Sequence, residues 1–461
     1  MSFNLKKFVN IFTIGVFVLI TVLIVYFVSF PIVSADSGYY LSIAREFYQG
    51  KTYFVDIGTI YNPLAIITIG FPFLFDSEPN IRYHILINIG IILVCGYFFF
   101  RLSSFFLNNK AWKLLLTGFF ILLLLYHDGR YVILEPLSVV FQLVALLLYL
   151  NYVKSNTIWS LFWMGMSISL SFLAKQYGLF ILLPIGLSIL NSKRNVVLQI
   201  AITALGFLVP IIIFYLFIYN QFLGINTFIQ CLIGKGFQVD QGNGTGLELD
   251  WQARSMFLII FLVTNLYAVL IPFYANRVRH SPYFILITTT VLVSFSVFYF
   301  AVYQHYFIYV IPYLMLFFAL IINHTPSSFF HWKSFVLIGL SIGLIMFSCA
   351  SSIKSKREFY KAQLRFTQQL NQIVPRNAKV YLSGIMPSYY YSCQFNSIDS
   401  KMVSYAFSGY LFTSTIVKYL DKGEYLVVSE DSYKAYQKVI TDLKVSQHQI
   451  DKETIYIIQK E

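Results

Sequence analysis

The sequence predicts an all-α polytopic membrane domain followed by a small α/β domain on the extracytoplasmic side. Hydrophobic residues make up 58% of the 461 residues and charged residues only 11%, whereas a soluble domain carries about 25% charged residues. Apolar stretches long enough to cross a bilayer recur along the chain, and basic and acidic residues segregate to opposite ends of these stretches. Most of the surface of such a chain meets lipid rather than water.

The apolar stretches are the elements of the membrane domain. Each contains roughly 15–25 residues, and a helix of about 20 residues crosses a hydrocarbon core of about 30 Å. The first run, residues 8–30, is longer than the core of a signal peptide, so we predict an uncleaved first helix. About eleven spans are expected, near residues 8–30, 81–100, 112–127, 131–152, 159–174, 177–190, 196–219, 255–275, 281–302, 305–323 and 334–351.

The charges orient these spans. With a cytoplasmic N-terminus, the inner segments contain only basic residues, as the positive-inside rule expects. These are Lys6, Lys7, Arg101, Lys110, Lys113, Lys154, Lys193, Arg194, Arg277, Arg279 and Lys333. Every acidic residue before residue 353 then lies at or near the outer face, and an odd number of spans places the C-terminus outside. The net charge of +13 therefore reflects membrane orientation and does not indicate nucleic-acid binding.

The chain divides into a transmembrane domain, 1–353, with its first outer loop at 31–80, and an extracytoplasmic domain, 354–461. The second part contains fifteen Lys/Arg and ten Asp/Glu and has shorter apolar runs. Residues 378–382, 424–428 and 454–459 are predicted strands, and residues 353–373, 412–421 and 432–443 are predicted helices. The sequence leaves open whether the outward-facing Cys231 and Cys393 form a disulfide.

The first outer loop has the composition of a folded segment. Its apolar residues recur at helical spacing (Tyr40, Ile43, Ala44, Phe47), with polar residues opposite (Ser42, Arg45, Glu46, Gln49). This pattern predicts an amphipathic helix in the membrane interface that begins at Asp36 or Ser37 and ends at Gly50. Pro63 is expected to begin a second, re-entrant or interfacial helix that ends near residue 75. Asp36 is interpreted either as the helix N-cap or as a catalytic carboxylate, and the two roles are compatible.

Several motifs, in their order and topological placement, resemble those of the polytopic C-type glycosyltransferases, which include protein O-mannosyltransferases and the aminoarabinose transferases of lipid A. The first is Asp36-Ser-Gly-Tyr-Tyr-Leu-Ser-Ile-Ala-Arg-Glu46, followed by Tyr53-Phe-Val-Asp56. The others are Arg130-Tyr-Val-Ile-Leu-Glu135-Pro-Leu, Lys175-Gln176, and His305-Tyr306 with Pro312. The chain departs from many members at Ser37, where they have Glu, and at Asn62-Pro63, where they have Lys-Pro-Pro. The second departure implies another phosphate-binding cation or a different donor.

The resemblance implies transfer of a sugar from a polyprenyl-phosphate carrier to a glycan, lipid or protein acceptor on the extracytoplasmic face, with inversion of a hexosyl or pentosyl unit. The general base would be Asp36. The donor phosphate would be bound by outer-face cations, for which the candidates are Arg82, Arg130 and Lys175. Supporting roles are expected for Tyr39, Asp56, Glu135, Gln176 and His305.

Each of these residues also has a structural interpretation. Arg82, Arg130 and His305 could contact lipid headgroups, Lys175 could snorkel, and Glu135, placed about one turn into its helix, could pair with Arg130. A structural or acceptor-binding role is favoured for Asp56. No ligand cluster indicates a metal or other cofactor, although a divalent metal stays open. The alternative functions are a transporter or flippase, which would have broken helices and mid-membrane charges, and a non-catalytic membrane scaffold.

Overall fold

The computed structural model describes residues 5–54, 56–57, 59, 61–192, 194–219, 224–234, 251–300, 303–386, 388–397, 423–437, 443–450 and 453–460. Within these residues the chain forms a helical membrane domain and a small α/β domain, so the predicted fold class is confirmed. The predicted helix at 412–421 lies outside the described residues.

The described α-helices follow the predicted apolar stretches. They are α1 Leu5–Ser29, α2 Ala35–Tyr48, α3 Pro63–Ile69, α4 Ile81–Ser103, α5 Lys110–Leu124, α6 Glu135–Ser155, α7 Trp159–Ala174, α8 Leu182–Leu190, α9 Val196–Tyr219, α10 Ile225–Ile229, α11 Trp251–Thr264, α12 Leu270–Tyr274, α13 Phe284–Phe300, α14 Ile311–His324, α15 Ser328–Ile373, α16 Ser388–Ser392 and α17 Glu430–Tyr436. Short 3-10 or π segments extend or link them at Phe71–Leu74, Leu125–Gly129, Gln176–Ile181, Gln230–Gly234, Leu266–Val269, Ala275–Arg277 and Gln304–Tyr309.

Seven of the described helices are long and apolar enough to cross a membrane, and a bent pair raises this number to eight. Three further apolar helices, at Trp159–Ala174, Gln176–Leu190 and Phe284–Val297, are shorter. Each of the eleven predicted stretches corresponds to one of these elements. The chain is therefore an integral multi-pass membrane protein, while the count of eleven spans stays a prediction.

Two predicted spans differ in detail from the structure. The stretch at 255–275 is broken, because its two halves, Arg254–Thr264 and Leu266–Arg277, meet at 88°. Glu135 is the first residue of α6 and does not lie one turn into it. The adjacent Pro136 explains this start, because proline lacks the backbone N–H and fits only the first turn of a helix without breaking it.

The C-terminal domain, named the outer domain after its predicted side of the membrane, contains a five-stranded sheet in the order β2-β1-β3-β5-β4. Its strands are β1 Lys379–Ser383, β2 Asn396–Ser397, β3 Glu424–Ser429, β4 Lys444–Ile450 and β5 Glu453–Gln459. β1 is parallel to β2 and β3, and β5 is antiparallel to β3 and β4. The three predicted strands are confirmed. The sequence did not indicate β4, because it is a largely exposed edge strand with mainly polar residues. The predicted helix at 432–443 is described only as the shorter α17.

The first part of the first outer loop packs against the outer domain. α15 runs for 46 residues through the predicted boundary at 353/354. In its second half, the Gln363 side chain accepts a hydrogen bond from the backbone N–H of Val33 at 3.2 Å and donates one to the Val33 carbonyl at 2.9 Å. Residues 37–46 of α2 are all buried. The polar face of α2 contacts the outer domain through Arg45, which donates to the carbonyl of Phe395, and the position of α2 in the membrane interface stays a prediction.

Candidate functional site

The first turn of α2 presents Asp36. The N-cap of this helix is Ser34, whose hydroxyl oxygen accepts a hydrogen bond from the backbone N–H of Ser37 at 3.1 Å. The predicted start at Asp36 or Ser37 was therefore wrong, and Asp36 is not the cap. Because Ser34 meets the capping requirement, the Asp36 carboxylate is not needed to close the helix end.

Asp36 is partly exposed and makes no hydrogen bond or ion pair to the residues that the structure describes. Burial raises the pKa of its carboxyl above the ordinary range, while positive charge at His305 and Lys175 opposes that rise. Negative charge at Glu135 and Asp128 adds to it. The carboxylate thus lies close to several charges and still has accessible oxygen atoms.

A buried ion pair forms one wall of this site. Lys175 Nζ lies 3.0 Å from Glu135 Oε1, and the two side chains are 2% and 0% exposed. The Nε2 atom of His305 lies 3.8 Å from the same oxygen. The ammonium group also lies 4.4 Å from the centre of the Tyr61 ring, within cation–π range. The pairing of Glu135 with Arg130, considered from the sequence, is replaced by this pairing with Lys175.

Local geometry explains how these residues meet. Lys175 has extended backbone angles at the end of α7, where the helix gives way to the 3-10 segment Gln176–Ile181. Glu135 begins α6, and His305 lies in the 3-10 segment before α14. Three points at which a regular α-helix begins or ends thus lie close together. Each contributes one polar side chain to a region that is otherwise lined by apolar helices.

Arg130 lies on a different wall. Its Nη2 atom is 3.6 Å from Asp128 Oδ1, and its guanidinium is 4.7 Å from the centre of the Tyr131 ring. It lines a small cavity of about 20 Å³ together with Lys356, Phe27 and Phe30. This cavity combines two cations with apolar residues of α1. Lys356 was not selected from the sequence, because it lies in the charged part of α15 and no motif marks it.

Tyr39 and Gln176 contact the residues that surround the Lys175–Glu135 pair. Tyr39 is buried and packs edge-to-face on Tyr61, with ring centres 5.6 Å apart. Gln176 Nε2 lies 3.5 Å from Asn62 Oδ1, and the Asn62 amide donates to the carbonyl of Phe172 at 2.6 Å. These contacts tie the second half of the outer loop to the end of α7.

Two predicted residues lie apart from this cluster. Arg82 is exposed and lines a second cavity together with Arg45. Asp56 is exposed, and its Oδ2 accepts a hydrogen bond from the backbone N–H of Thr52 at 2.8 Å, which closes a turn. The structure therefore gives Asp56 a structural contact and does not bring Arg82 to the Lys175–Glu135 pair.

The described residues contain neither a disulfide bond nor a group of metal ligands at this site. The four cysteines, including Cys231 and Cys393, are free thiols. Within the described part of the chain, no three His, Cys, Asp or Glu side chains are grouped so that they could hold a metal ion.

Comparison with known proteins gives a match by structure and none by sequence. No protein-family model and no curated protein matches this chain. The structure of ArnT, an aminoarabinose transferase, from Cupriavidus metallidurans bound to undecaprenyl phosphate matches with a TM-score of 0.61 at 13% identity, covering 97% of this chain and 98% of that one. Its apo form matches with a TM-score of 0.61 at 12% identity, covering 97% of each chain.

An archaeal oligosaccharyltransferase is also similar. AglB from Archaeoglobus fulgidus, in complex with an inhibitory peptide and a dolichol-phosphate, matches with a TM-score of 0.51 at 10% identity over 91% of this chain and 69% of that one. Identities this low show the fold alone. The resemblance to C-type glycosyltransferases predicted from the motifs is confirmed at that level.

Proposed function

We propose that this chain is a membrane glycosyltransferase that moves a sugar from a polyprenyl-phosphate carrier to an acceptor at the extracytoplasmic face. The observation that carries the proposal is the Asp36 carboxylate, accessible and without a hydrogen bond to a described residue, beside the buried Lys175–Glu135–His305 cluster. The shared fold with structures that contain undecaprenyl phosphate and dolichol-phosphate supports the kind of donor.

In the proposed reaction, Asp36 accepts a proton from an acceptor hydroxyl as its oxygen attacks the anomeric carbon of the sugar. The bond between that carbon and the phosphate oxygen breaks, and the polyprenyl phosphate leaves with the bonding electron pair. A single displacement of this kind inverts the configuration of the sugar. The raised pKa of Asp36 suits this role, because a carboxylate that binds a proton more readily is a stronger base.

The leaving phosphate requires cations where its charge develops. Arg130 and Lys356 are two cations that line one small cavity beside the end of α1. The cavity, of about 20 Å³, has room for about one water molecule, so a bound phosphate has to displace its walls. Lys175 contributes from the other side, although Glu135 already offsets its charge. We therefore assign the donor phosphate to Arg130, with Lys356 and Lys175 as further cations, rather than to Arg82.

Ligand-dependent stability tests this proposal without knowledge of the sugar. We expect polyprenyl phosphate to raise the melting temperature of the purified protein, because a ligand at a hundredfold excess over Kd stabilises the folded state by about 2.7 kcal/mol. The neutral polyprenol should have little effect. The shift should be retained in Asp36→Asn and weakened in Arg130→Gln.

A panel of polyprenyl-phosphate-linked sugars then tests the chemistry. The wild-type protein should release polyprenyl phosphate from one of these donors, and Asp36→Asn should not. Asp56→Asn is the matched control, since Asp56 is an acid of the same loop that is exposed and closes a turn. Equal stabilisation by the phosphate and the alcohol, together with no turnover of any donor, would favour the transporter or the scaffold.

A further inference from the structure

A second cavity, of about 300 Å³, lies between the first outer loop and the outer domain. Its wall includes Arg45 of α2, Glu78 of the loop, Arg82 of α4, Gln363 of α15, and Tyr391 and Gln394 of the outer domain. Glu78 and Arg82 are exposed, so the cavity opens to solvent at their side. No part of the proposed transfer reaction uses this cavity.

Arg45 is a buried cation with incomplete hydrogen bonding. The residue is 3% exposed, and its Nη2 donates to the backbone carbonyl of Phe395. Its Nε and Nη1 atoms are buried and have no hydrogen-bond partner in the described chain. Arginine keeps its charge in proteins, so its Nε–H and Nη1–H groups are donors that no described protein atom satisfies.

The nearby carboxylates are engaged with other cations. Glu46 pairs with Lys51 at 3.3 Å, and Glu78 pairs with Arg376 at 3.7 Å. Arg45 forms no ion pair with a described carboxylate. Its charge is therefore balanced only at longer range by these acids.

A buried charge without a partner is strongly unfavourable, and buried donors are nearly always satisfied by protein, water or a ligand. We propose that this cavity binds the oxyanion of a ligand, a carboxylate or a phosphate group, through Arg45, with Arg82 at its mouth. Arginine is suited to such groups because its planar guanidinium matches their geometry.

The walls of the cavity are held in place before any ligand arrives. The Tyr391 hydroxyl donates to the carbonyl of Pro79 at 2.7 Å, which fastens the outer domain to the loop. Gln363 is fixed by its two bonds to Val33. Preorganised walls lower the entropy lost on binding, and the volume suits a small molecule or one polar group of a larger one.

This site is distinct from the proposed catalytic centre. Asp36 and Arg45 are nine residues apart in α2, which corresponds to about 13.5 Å along the helix axis and about half a turn around it. Asp36 faces Lys175 and His305 on one side, whereas Arg45 faces Phe395 of the outer domain on the other. The proposal therefore does not depend on the proposed glycosyl transfer.

Titration with inorganic phosphate at constant ionic strength, with chloride as the replaced anion, tests the site in the full-length protein. Phosphate should raise the melting temperature of the wild type. Arg45→Met should lose this shift and should melt no lower than the wild type in chloride, because the variant no longer buries an unpaired charge. Arg82→Gln, at an exposed position, should fold and bind phosphate with a Kd raised about two- to fivefold.

A control variant separates this site from other cations. Arg101→Gln changes an exposed arginine of the predicted inner face and should respond to phosphate as the wild type does. A response that persists in Arg45→Met, or that is lost in Arg101→Gln, would overturn the proposal, as would no response in the wild type. A low melting temperature of Arg45→Met in chloride, with Arg82→Gln unaffected in phosphate binding, would also overturn it and assign Arg45 a structural role.

The source of the oxyanion is distinguished with lipid nanodiscs. Phosphatidic acid, compared with phosphatidylcholine alone, should weaken phosphate binding at Arg45 if a lipid headgroup occupies the cavity. Equal binding in both nanodiscs would support a soluble ligand. Loss of competition in Arg82→Gln as well as in Arg45→Met would support a headgroup that enters past Arg82.

Discussion

The two buried cations on opposite sides of α2 are compensated in different ways. Lys175, at the end of α7, has a buried carboxylate partner at 3.0 Å and aromatic rings around its ammonium group. Arg45, on the side of the outer domain, has a backbone carbonyl but no carboxylate partner among the described residues. The Lys175 charge is therefore balanced by Glu135 of the protein itself, whereas the Arg45 charge is balanced, in our proposal, by the oxyanion of a ligand.

Asp36 belongs to the compensated side but differs from the residues around it. Glu135 is fully buried and paired, whereas Asp36 is partly exposed and not hydrogen-bonded to the described chain. A paired carboxylate orients its partner, while an unpaired, accessible one is available to accept a proton. Substitutions on the two sides of α2 should therefore have effects of different kinds.

The largest effect is expected for Asp36→Asn. Loss of a positioned general base reduces turnover by about 10²–10⁴-fold, and Asp56→Asn should leave it nearly unchanged. The measurement is release of polyprenyl phosphate from the donor that the wild type uses. A modest loss in Asp36→Asn, similar to that in Asp56→Asn, would show that this carboxylate is not the base.

Removal of the Lys175 charge should destabilise the fold. Lys175→Met leaves Glu135 buried without its partner, which costs about 3–5 kcal/mol. The double variant Lys175→Met/Glu135→Gln should recover much of that loss, because both charges are then removed. Thermal unfolding of the three proteins and of Arg45→Met in chloride checks the comparison. Equal destabilisation by Lys175→Met and Arg45→Met would contradict the proposed difference between the two sites.

Packing between α2 and the outer domain should give a smaller effect. A Cβ atom at Gly38 would lie 2.2 Å from the Cα of Ser388, so Gly38→Ala forces backbone to move. We expect a loss of about 1–3 kcal/mol in the free energy of unfolding. Gly90→Ala is the matched control in α4, where an added Cβ meets nothing within 4 Å. It should be neutral or stabilising by up to about 1 kcal/mol. Tolerance of Gly38→Ala would indicate that the outer domain is not packed tightly on α2.

The smallest effect concerns pH. Because the folded-state pKa of Asp36 is raised, its ionisation destabilises the fold, and its favourable contribution is lost as pH rises through that pKa. Asp36→Asn should therefore melt slightly higher than the wild type at neutral pH. Wild-type turnover should decline on acidification at a higher pH than an ordinary aspartate would give. A lower melting temperature of Asp36→Asn at neutral pH would contradict this assignment.

Much of the fold follows from the sequence because lipid exposure leaves a simple signal. The long apolar runs, the segregation of Lys and Arg, and Pro63 at a helix start are local properties of the chain. β4 left no such signal, since an exposed edge strand needs no apolar alternation. The 88° bend near Asn265 was also missed, because no Gly or Pro marks it.

The candidate site was only partly predictable. Motif resemblance selected Asp36, Lys175, Glu135 and His305, which the structure brings together. Their pairing depends on how α6, α7 and the segment before α14 pack, and sequence spacing carries no information on that. Arg45 was predicted only to lie on the polar face of an amphipathic helix, because nothing in the local pattern shows that the outer domain packs on it. Lys356 was missed because it lies in the charged part of α15, where no motif marks it.

Determining the structure of the wild-type protein in a nanodisc with polyprenyl phosphate tests the central claim most directly. We expect phosphate density in contact with Arg130, Lys356 or Lys175, on the face of α2 that carries Asp36. Phosphate density only between Arg45 and Arg82, with the Asp36 side empty, would contradict the assignment of Asp36 to the transfer reaction.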